Sequence, residues 1–341
     1  MKHRPISEKI LVSIFVVLII VAGIIGGKTL LEKNAENEIT AYNQIETANN
    51  QINEIKTQNK LENTVAENEI NSNETTVDEI NENLEQQENK ELFSKYYDQA
   101  EKLMETMTLE EKVGQMFLAR YPESGVIEEI KKLNPGGYVL FGRDFDNKTK
   151  QSMLNELTQN QNASKIKLAL GVDEEGGTVV RVSSHKAFRN SKFLSPQQIW
   201  AQGQLPAILQ DSKEKSELLK SIGLNMNLAP VVDVPTKSSS FIYARSYGRG
   251  AEKTAIYTAE LIKTMNESNM ISVMKHFPGY GDNVDTHTGI AIDERPYNTF
   301  ETSDFLPFES GIEAGGPCIL VSHNIVKSMD ETKPASLSEK V

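Results

Sequence analysis

The chain has 341 residues, with 36 Lys and Arg against 48 Asp and Glu and a single cysteine, Cys318. Residues 29–92 hold 15 acids and only 4 lysines, so the rest is close to neutral, and no basic face for nucleic acid is expected. One cysteine excludes an internal disulfide framework, and the length suffices for more than one domain.

Residues 1–28 come first. Ile10 to Gly27 reads ILVSIFVVLIIVAGIIGG, an uncharged run flanked by Lys2, Arg4 and Lys9 before it and Lys28 after it. It is just long enough to cross a bilayer, and the basic flank predicts a cytoplasmic N-terminus. Only Gly26 and Gly27 offer a small-residue cleavage site, which favours an uncleaved anchor over a signal peptide whose loss would make the protein secreted. The expected location is the cell membrane, single-pass, with the folded part outside. Residues 29–92 lack glycine and proline and are rich in Asn, Glu, Gln and Thr. Ile45, Ala48, Ile52 and Ile55 follow a brief a/d spacing that fails at Asn59, so the segment reads as a solvated spacer or a weakly helical stalk.

From Phe93 to Val341 the texture is that of a folded domain. Thr108-Leu109-Glu110-Glu111 is a capping-box pattern that predicts a helix start. Apolar runs recur at Val113–Leu118, Gly137–Phe141, Ile166–Val172, Leu224–Pro230, Ile271–Met274 and Cys318–Val321. Segments with helical spacing lie between them, such as Ser195–Gln202 after a Ser-Pro start and Ser212–Ser221. Strand and helix in alternation predict an α/β fold with a parallel sheet. Nearly every run ends in polar or Gly-rich residues: Gly142-Arg143-Asp144, Asp173-Glu174-Glu175-Gly176-Gly177, Asp233, Lys275-His276 and Ser322-His323. In a (β/α) barrel those ends share one face and line one pocket. A nucleotide-binding sheet would carry G-x-G-x-x-G after its first strand, and none occurs there.

GVDEEGGTVVR (Gly171–Arg181), LNMNLAPVVDV (Leu224–Val234), ARSYG (Ala244–Gly248) and KHFPGYGDNVDTH (Lys275–His287) occur in this order. Together they resemble the N-terminal TIM-barrel domain of family 3 glycoside hydrolases, most closely its bacterial β-N-acetylglucosaminidase branch. The resemblance covers Phe93 to Val341. It implies a retaining hydrolase working by double displacement on N-acetylglucosaminyl glycans such as cell-wall fragments, with a carboxylate nucleophile and a proton donor. In this branch the donor is a histidine with an aspartate beside it, and Asp285 and His287 match that dyad. Residues i and i+2 of an extended loop point the same way, which lets the carboxylate orient the imidazole. Asp173, Arg181, Arg245, Lys275 and His276 match the family's sugar contacts, Asp233 is expected to be structural, and Tyr280 stands where many relatives have histidine. No cofactor is implied, because acid–base and covalent catalysis by side chains suffice.

Other readings remain at these positions. Asp173 and Arg181 could form a surface ion pair, Lys275-His276 could be a solvated strand end, and Asp285 with His287 could be a loop hydrogen bond. A glycan-binding surface protein without catalysis is the alternative function. A third reading is a metal-dependent barrel hydrolase with His276, Asp285, His287 and His323 as ligands, but it lacks the His-x-His expected after the first strand.

Six runs are visible where a closed barrel takes eight strands. Ser336-Leu337-Ser338-Glu339 is a second capping-box pattern and predicts another helix start. In the family a later strand ends in an Asp-Asp turn that supplies the nucleophile, and this sequence holds no Asp-Asp pair. The expectation is a barrel incomplete at its C-terminal side, completed by a downstream segment or a partner, with no turnover from residues 1–341 alone.

Overall fold

The computed structural model describes residues 94–286 and 289–341. The expected membrane anchor, the acidic spacer and His287 all lie outside these residues. Among the described residues no helix is long and apolar enough to cross a membrane.

Two helices open the described part, α1 (Ser94–Glu105) and α2 (Leu109–Gln115). The capping box forms as expected: the Thr108 side chain accepts from the Glu111 amide at 3.2 Å, and Thr108 N–H donates to Glu111 Oε2 at 3.1 Å. That start corrects the strand expected at Val113–Leu118. A helix nucleated at Thr108 carries Val113 and Gln115 within its first two turns, and β1 begins only at Leu118, running Leu118–Arg120.

Strand and helix then alternate through α3 (Val126–Leu133), β2 (Gly137–Leu140), α4 (Lys150–Ala163), β3 (Ala169–Val172), α5 (Pro196–Ser221) and β4 (Met226–Asn227). They continue with α6 (Gly250–Glu267), β5 (Ile271–Phe277), β6 (Ile292–Asp293), α7 (Phe305–Glu313), β7 (Cys318–Val321) and β8 (Ile325–Val326). The two helical segments expected at 195–202 and 212–221 are one element, broken where Gly203 and Gln204 leave helical geometry just before Pro206. Ser195 caps its start, with Pro196 in the first turn. β4 is short because Pro230 has no N–H to give the ladder, although Val232 N–H reaches the Lys275 carbonyl at 2.8 Å and resumes the pairing.

The sheet is all-parallel in the order β1-β2-β3-β4-β5-β7, an α/β fold whose sheet curls into part of a barrel. β6 and β8 form a separate parallel pair. Alternation along the strands sorts the core. Tyr138, Leu140, Leu170 and Val172 point out to Met153 and Leu157 of α4 and Leu219 of α5. Val139, Ala169, Met226, Ile271, Val273, Cys318 and Leu320 point to the inner side of the curl. Outer residues are buried, whereas several inner ones are only partly so, and β1 and β7 stand at the two outer edges of the sheet.

The helix start expected at Ser336 does not form. A single 3₁₀ turn covers Ala335–Leu337, and the Ser338 hydroxyl donates to Asp330 Oδ2 at 2.9 Å. Asp330 also accepts the amides of Thr332 and Lys333 at 3.0 and 3.2 Å. The Oγ of Ser336, the cap this pattern needs, lies 2.6 Å from His323 Nδ1 instead, and Ser338 is taken into the Asp330 turn, so the helix start is not capped.

Candidate active site

The alternation that fills the inner core also aims the site. On β3 the inward series Ala169, Gly171 runs on to Asp173, and on β5 the series Ile271, Val273 runs on to Lys275. Each ends in a charge at the C-terminal rim, and the two meet: Lys275 Nζ lies 2.6 Å from Asp173 Oδ1. Asp173 therefore pairs with Lys275 and not with Arg181, which corrects the surface ion-pair alternative. The Lys275 side chain is 2% exposed against 17% for Asp173, so the carboxylate is the accessible member of the pair and the ammonium supports it from within. That burial likewise overturns the solvated strand end.

The turn Glu174–Gly177 is tied into the fold through both of its carboxylates. Glu174 is fully buried and accepts the amides of Arg181 (2.8 Å), Val182 (2.7 Å) and Ser183 (3.2 Å), together with the Ser183 hydroxyl. Its own backbone is clasped by the Asn227 amide of β4, at 3.0 and 3.2 Å. Glu175 takes Lys275 Nζ at 2.7 Å and both Nε and Nη2 of Arg245 at 2.9 and 2.7 Å. Burial alone would raise the Glu175 carboxyl, but the charges of Lys275 and Arg245 outweigh it and hold the group down to about 2. Arg245 is raised in turn: burial works against its charge, and the Glu175 hydrogen bond and charge prevail. The chain makes this turn at Gly176, with φ 103°, where a Cβ would sit 2.1 Å from the Leu194 carbonyl oxygen.

His276 stands beside these groups, 9% exposed. Its Nδ1 is 2.8 Å from Asp233 Oδ2, and its Nε2 is 3.4 Å from Arg245 Nη2. A carboxylate on one nitrogen and a guanidinium donor on the other assign the proton to Nδ1 and leave the Nε2 lone pair toward Arg245. Asp233, 1% exposed, also takes the amides of His276 (3.2 Å) and Tyr280 (2.8 Å), a scaffolding position. The turn that follows β5 is clamped from outside by Arg295, which donates to the Gly279 carbonyl at 2.9 Å and pairs with Asp293 and Asp304. Burial pushes the Asp304 carboxyl up to about 6, against the opposing pull of Arg295.

Asp173, Arg245, Lys275 and His276 thus form one connected cluster with Glu175 and Asp233. Arg181 lies to one side, with its guanidinium carbon 5.9 Å from the centre of the Phe141 ring. Asp285 is on the loop after Tyr280, near enough for its charge to act on the Tyr280 phenol. His323 contacts Ser336 Oγ at 2.6 Å on an exposed loop, and among the described residues no three His, Cys, Asp or Glu side chains gather as metal ligands. Sequence reasoning misses Glu175 as a charge centre and Asn227 as a clasp. The one signal for Glu175 is an acid pair before two glycines with no local base to neutralise it.

Chemically, the cluster is a largely buried, mutually hydrogen-bonded set of donors and acceptors, suited to holding a neutral polyhydroxylated ligand through several hydrogen bonds. A family model described as the glycosyl hydrolase family 3 N terminal domain matches residues 108–341. The chain is 32% identical over 215 residues to a beta-hexosaminidase of Nitrosomonas eutropha, covering 60% of this chain and 59% of that protein. It is 30% identical over 216 residues to beta-hexosaminidase A of Pseudoalteromonas piscicida, covering 60% of this chain and 36% of that one. The chain therefore spans less than two thirds of the length of these curated relatives. Among solved structures, the β-N-acetylhexosaminidase of Beutenbergia cavernae superposes with a TM-score of 0.60 at 26% identity, over 68% of this chain and 72% of that one. The family 3 β-N-acetylglucosaminidase of a Paenibacillus species shares the fold, with a TM-score of 0.64 at 24% identity over 69% and 46% of the two chains.

Proposed function

The chain belongs to glycosyl hydrolase family 3, and from that premise we propose that it forms the sugar-binding and acid–base part of a retaining β-N-acetylhexosaminidase. The observation that carries this reading is the buried Asp173–Lys275–Glu175–Arg245 cluster at the ends of β3 and β5, with His276 held beside it by Asp233. The relatives named for β-hexosaminidase activity support the choice of sugar, and wall fragments ending in N-acetylglucosamine are the proposed substrates.

In the proposed reaction the sugar lies on the cluster, with Asp173, Lys275 and His276 on its hydroxyls and Arg181 and Arg245 at its margin. Fixing the ring there spends binding energy on orientation. The His287 imidazole, oriented by Asp285, gives a proton to the leaving oxygen while a carboxylate attacks the anomeric carbon. It then removes a proton from the water that releases the sugar. We place the attacking carboxylate outside residues 1–341, on a downstream segment or a partner that also supplies the remaining strands of a (β/α)8 barrel. The partly exposed apolar residues on the inner side of the curl support that completion. The proposed setting is the outer face of a membrane, with residues 10–27 as anchor and residues 29–92 as spacer.

The test is sugar release from di-N-acetylchitobiose by the native protein purified from its source cells. Release that is lost in His287→Ala supports the proposal, and release unchanged by that substitution refutes the acid–base assignment. Comparable release by purified residues 1–341 would refute the placing of the nucleophile.

A further inference from the structure

Tyr280 lies between the sugar cluster and the acid–base segment, and its contacts run both ways. It is 3% exposed. Its ring stands edge-on to His276 and to Phe241, each with centroids 5.0 Å apart. Its amide donates to Asp233 Oδ1 at 2.8 Å, while the other oxygen of the same carboxylate takes His276 Nδ1 at 2.8 Å. One carboxylate therefore fixes His276 and Tyr280 in a single register.

At its far end the Tyr280 hydroxyl meets Thr286 Oγ1 at 2.6 Å. Thr286 is the neighbour of Asp285. The chain between them is tied near its start, where Asp282 accepts the Thr236 and Lys237 amides at 3.0 and 2.9 Å, and it then passes through Val284, which is 60% exposed. Apolar burial does not hold that stretch, so the phenol is a direct tether at its distal end. Burial raises the phenol's proton affinity, Thr286 opposes this, and the charges of Asp233 and Asp285 add to it.

We infer that Tyr280 is a positioning residue whose hydroxyl holds Thr286, and with it Asp285, in register with His276, so that filling the sugar site steadies the acid–base segment. The coupling to sugar rests on the function proposed above. The tether does not.

Hydrogen–deuterium exchange on the protein, with and without N-acetylglucosamine, separates the two. Without sugar, amides of residues 281–286 exchange about tenfold faster in Tyr280→Phe and Thr286→Val, the change expected for one buried hydrogen bond, while residues 271–277 of β5 stay at the native rate. Thr286→Ser, which restores the hydroxyl, returns the native rate. With sugar, residues 281–286 slow further in the native protein and not in Tyr280→Phe. Native rates in both tether variants would overturn the inference, as would an equal rise in β5, which would make Tyr280 a core residue only. Should Tyr280→Phe fail to fold, the Val and Ser variants at Thr286 decide the matter alone. Sugar that slows no amide in the native protein would overturn the coupling together with the function it rests on, leaving the tether to the sugar-free rates.

Discussion

Glu175→Gln tests whether the cluster is held together by charge. The side chain is 2% exposed and is shared by Lys275 Nζ at 2.7 Å and by Arg245 at 2.7 Å. Its carboxyl is held down to about 2 from an ordinary 4.5, because two cations outweigh the burial that works against the charge. A group with a depressed folded-state pKa stabilises the fold above its unfolded value and loses that contribution as pH falls toward the folded one. The shift corresponds to about 3 kcal/mol at pH 7, shrinking to about 1 kcal/mol at pH 3. The figure agrees with the usual cost of about 3–5 kcal/mol for removing one partner of a buried ion pair. Gln keeps the shape and one acceptor but takes away the charge that both cations contact, leaving Lys275 to Asp173 and Arg245 to the more distant charges of Asp233 and Asp173. Urea unfolding at pH 7 and pH 3 reads the difference. The variant is expected to be less stable by about 3 kcal/mol at pH 7, with the gap closing by roughly two thirds at pH 3. A variant as stable as the native protein at pH 7, or a gap independent of pH, would refute the charge argument.

Three further perturbations follow from the same geometry. Gly176→Ala places a Cβ against the Leu194 carbonyl at a φ of 103°, and thermal unfolding should show a loss of at least about 2 kcal/mol; an unchanged midpoint would mean the turn adapts. Asp233→Asn cannot serve the His276 amide, His276 Nδ1 and the Tyr280 amide together, so urea unfolding should show a loss of about 2–3 kcal/mol, and sugar affinity measured by calorimetry should fall with it. Asp304, raised to about 6 by burial, stabilises the fold most below its unfolded value of 3.8 and loses that contribution as pH rises through 6. Relative to Asp304→Asn, the native protein should lose about 2 kcal/mol between pH 4 and pH 7, and parallel stability curves for the two would contradict this.

Features set by neighbours in the chain are legible in the amino-acid sequence alone. The capping box at Thr108 depends on residues three apart, and the strand-end polar residues need only a period of two. Asp173 and Lys275 can be read as one site because both end an inward series on a parallel strand. The role of Glu175 cannot be read, since its partner Arg245 lies 70 residues on in the chain and only the fold brings them together. Composition misleads at Val113–Leu118, where an apolar run fits a strand as well as the end of a capped helix. The same holds at Ser336, where the pattern is present but His323 engages the Ser336 hydroxyl and Asp330 takes Ser338 for a turn of its own. β6 and β8, two residues each, are too short for any periodic signal. Asp233 is structural, as its motif implies, yet only its placement explains why His276 is presented as it is.

The central claim is that the Asp173–Lys275 pair and its neighbours form a sugar site, and equilibrium binding of N-acetylglucosamine tests it most directly, independently of turnover. Calorimetric titration should give saturable one-to-one binding to the native protein. Asp173→Ala and Lys275→Met should each weaken it at least about tenfold, the loss expected for one charged hydrogen bond, with circular dichroism confirming that both remain folded. A folded native protein that shows no saturable binding, or binding that survives both substitutions unchanged, would contradict the account.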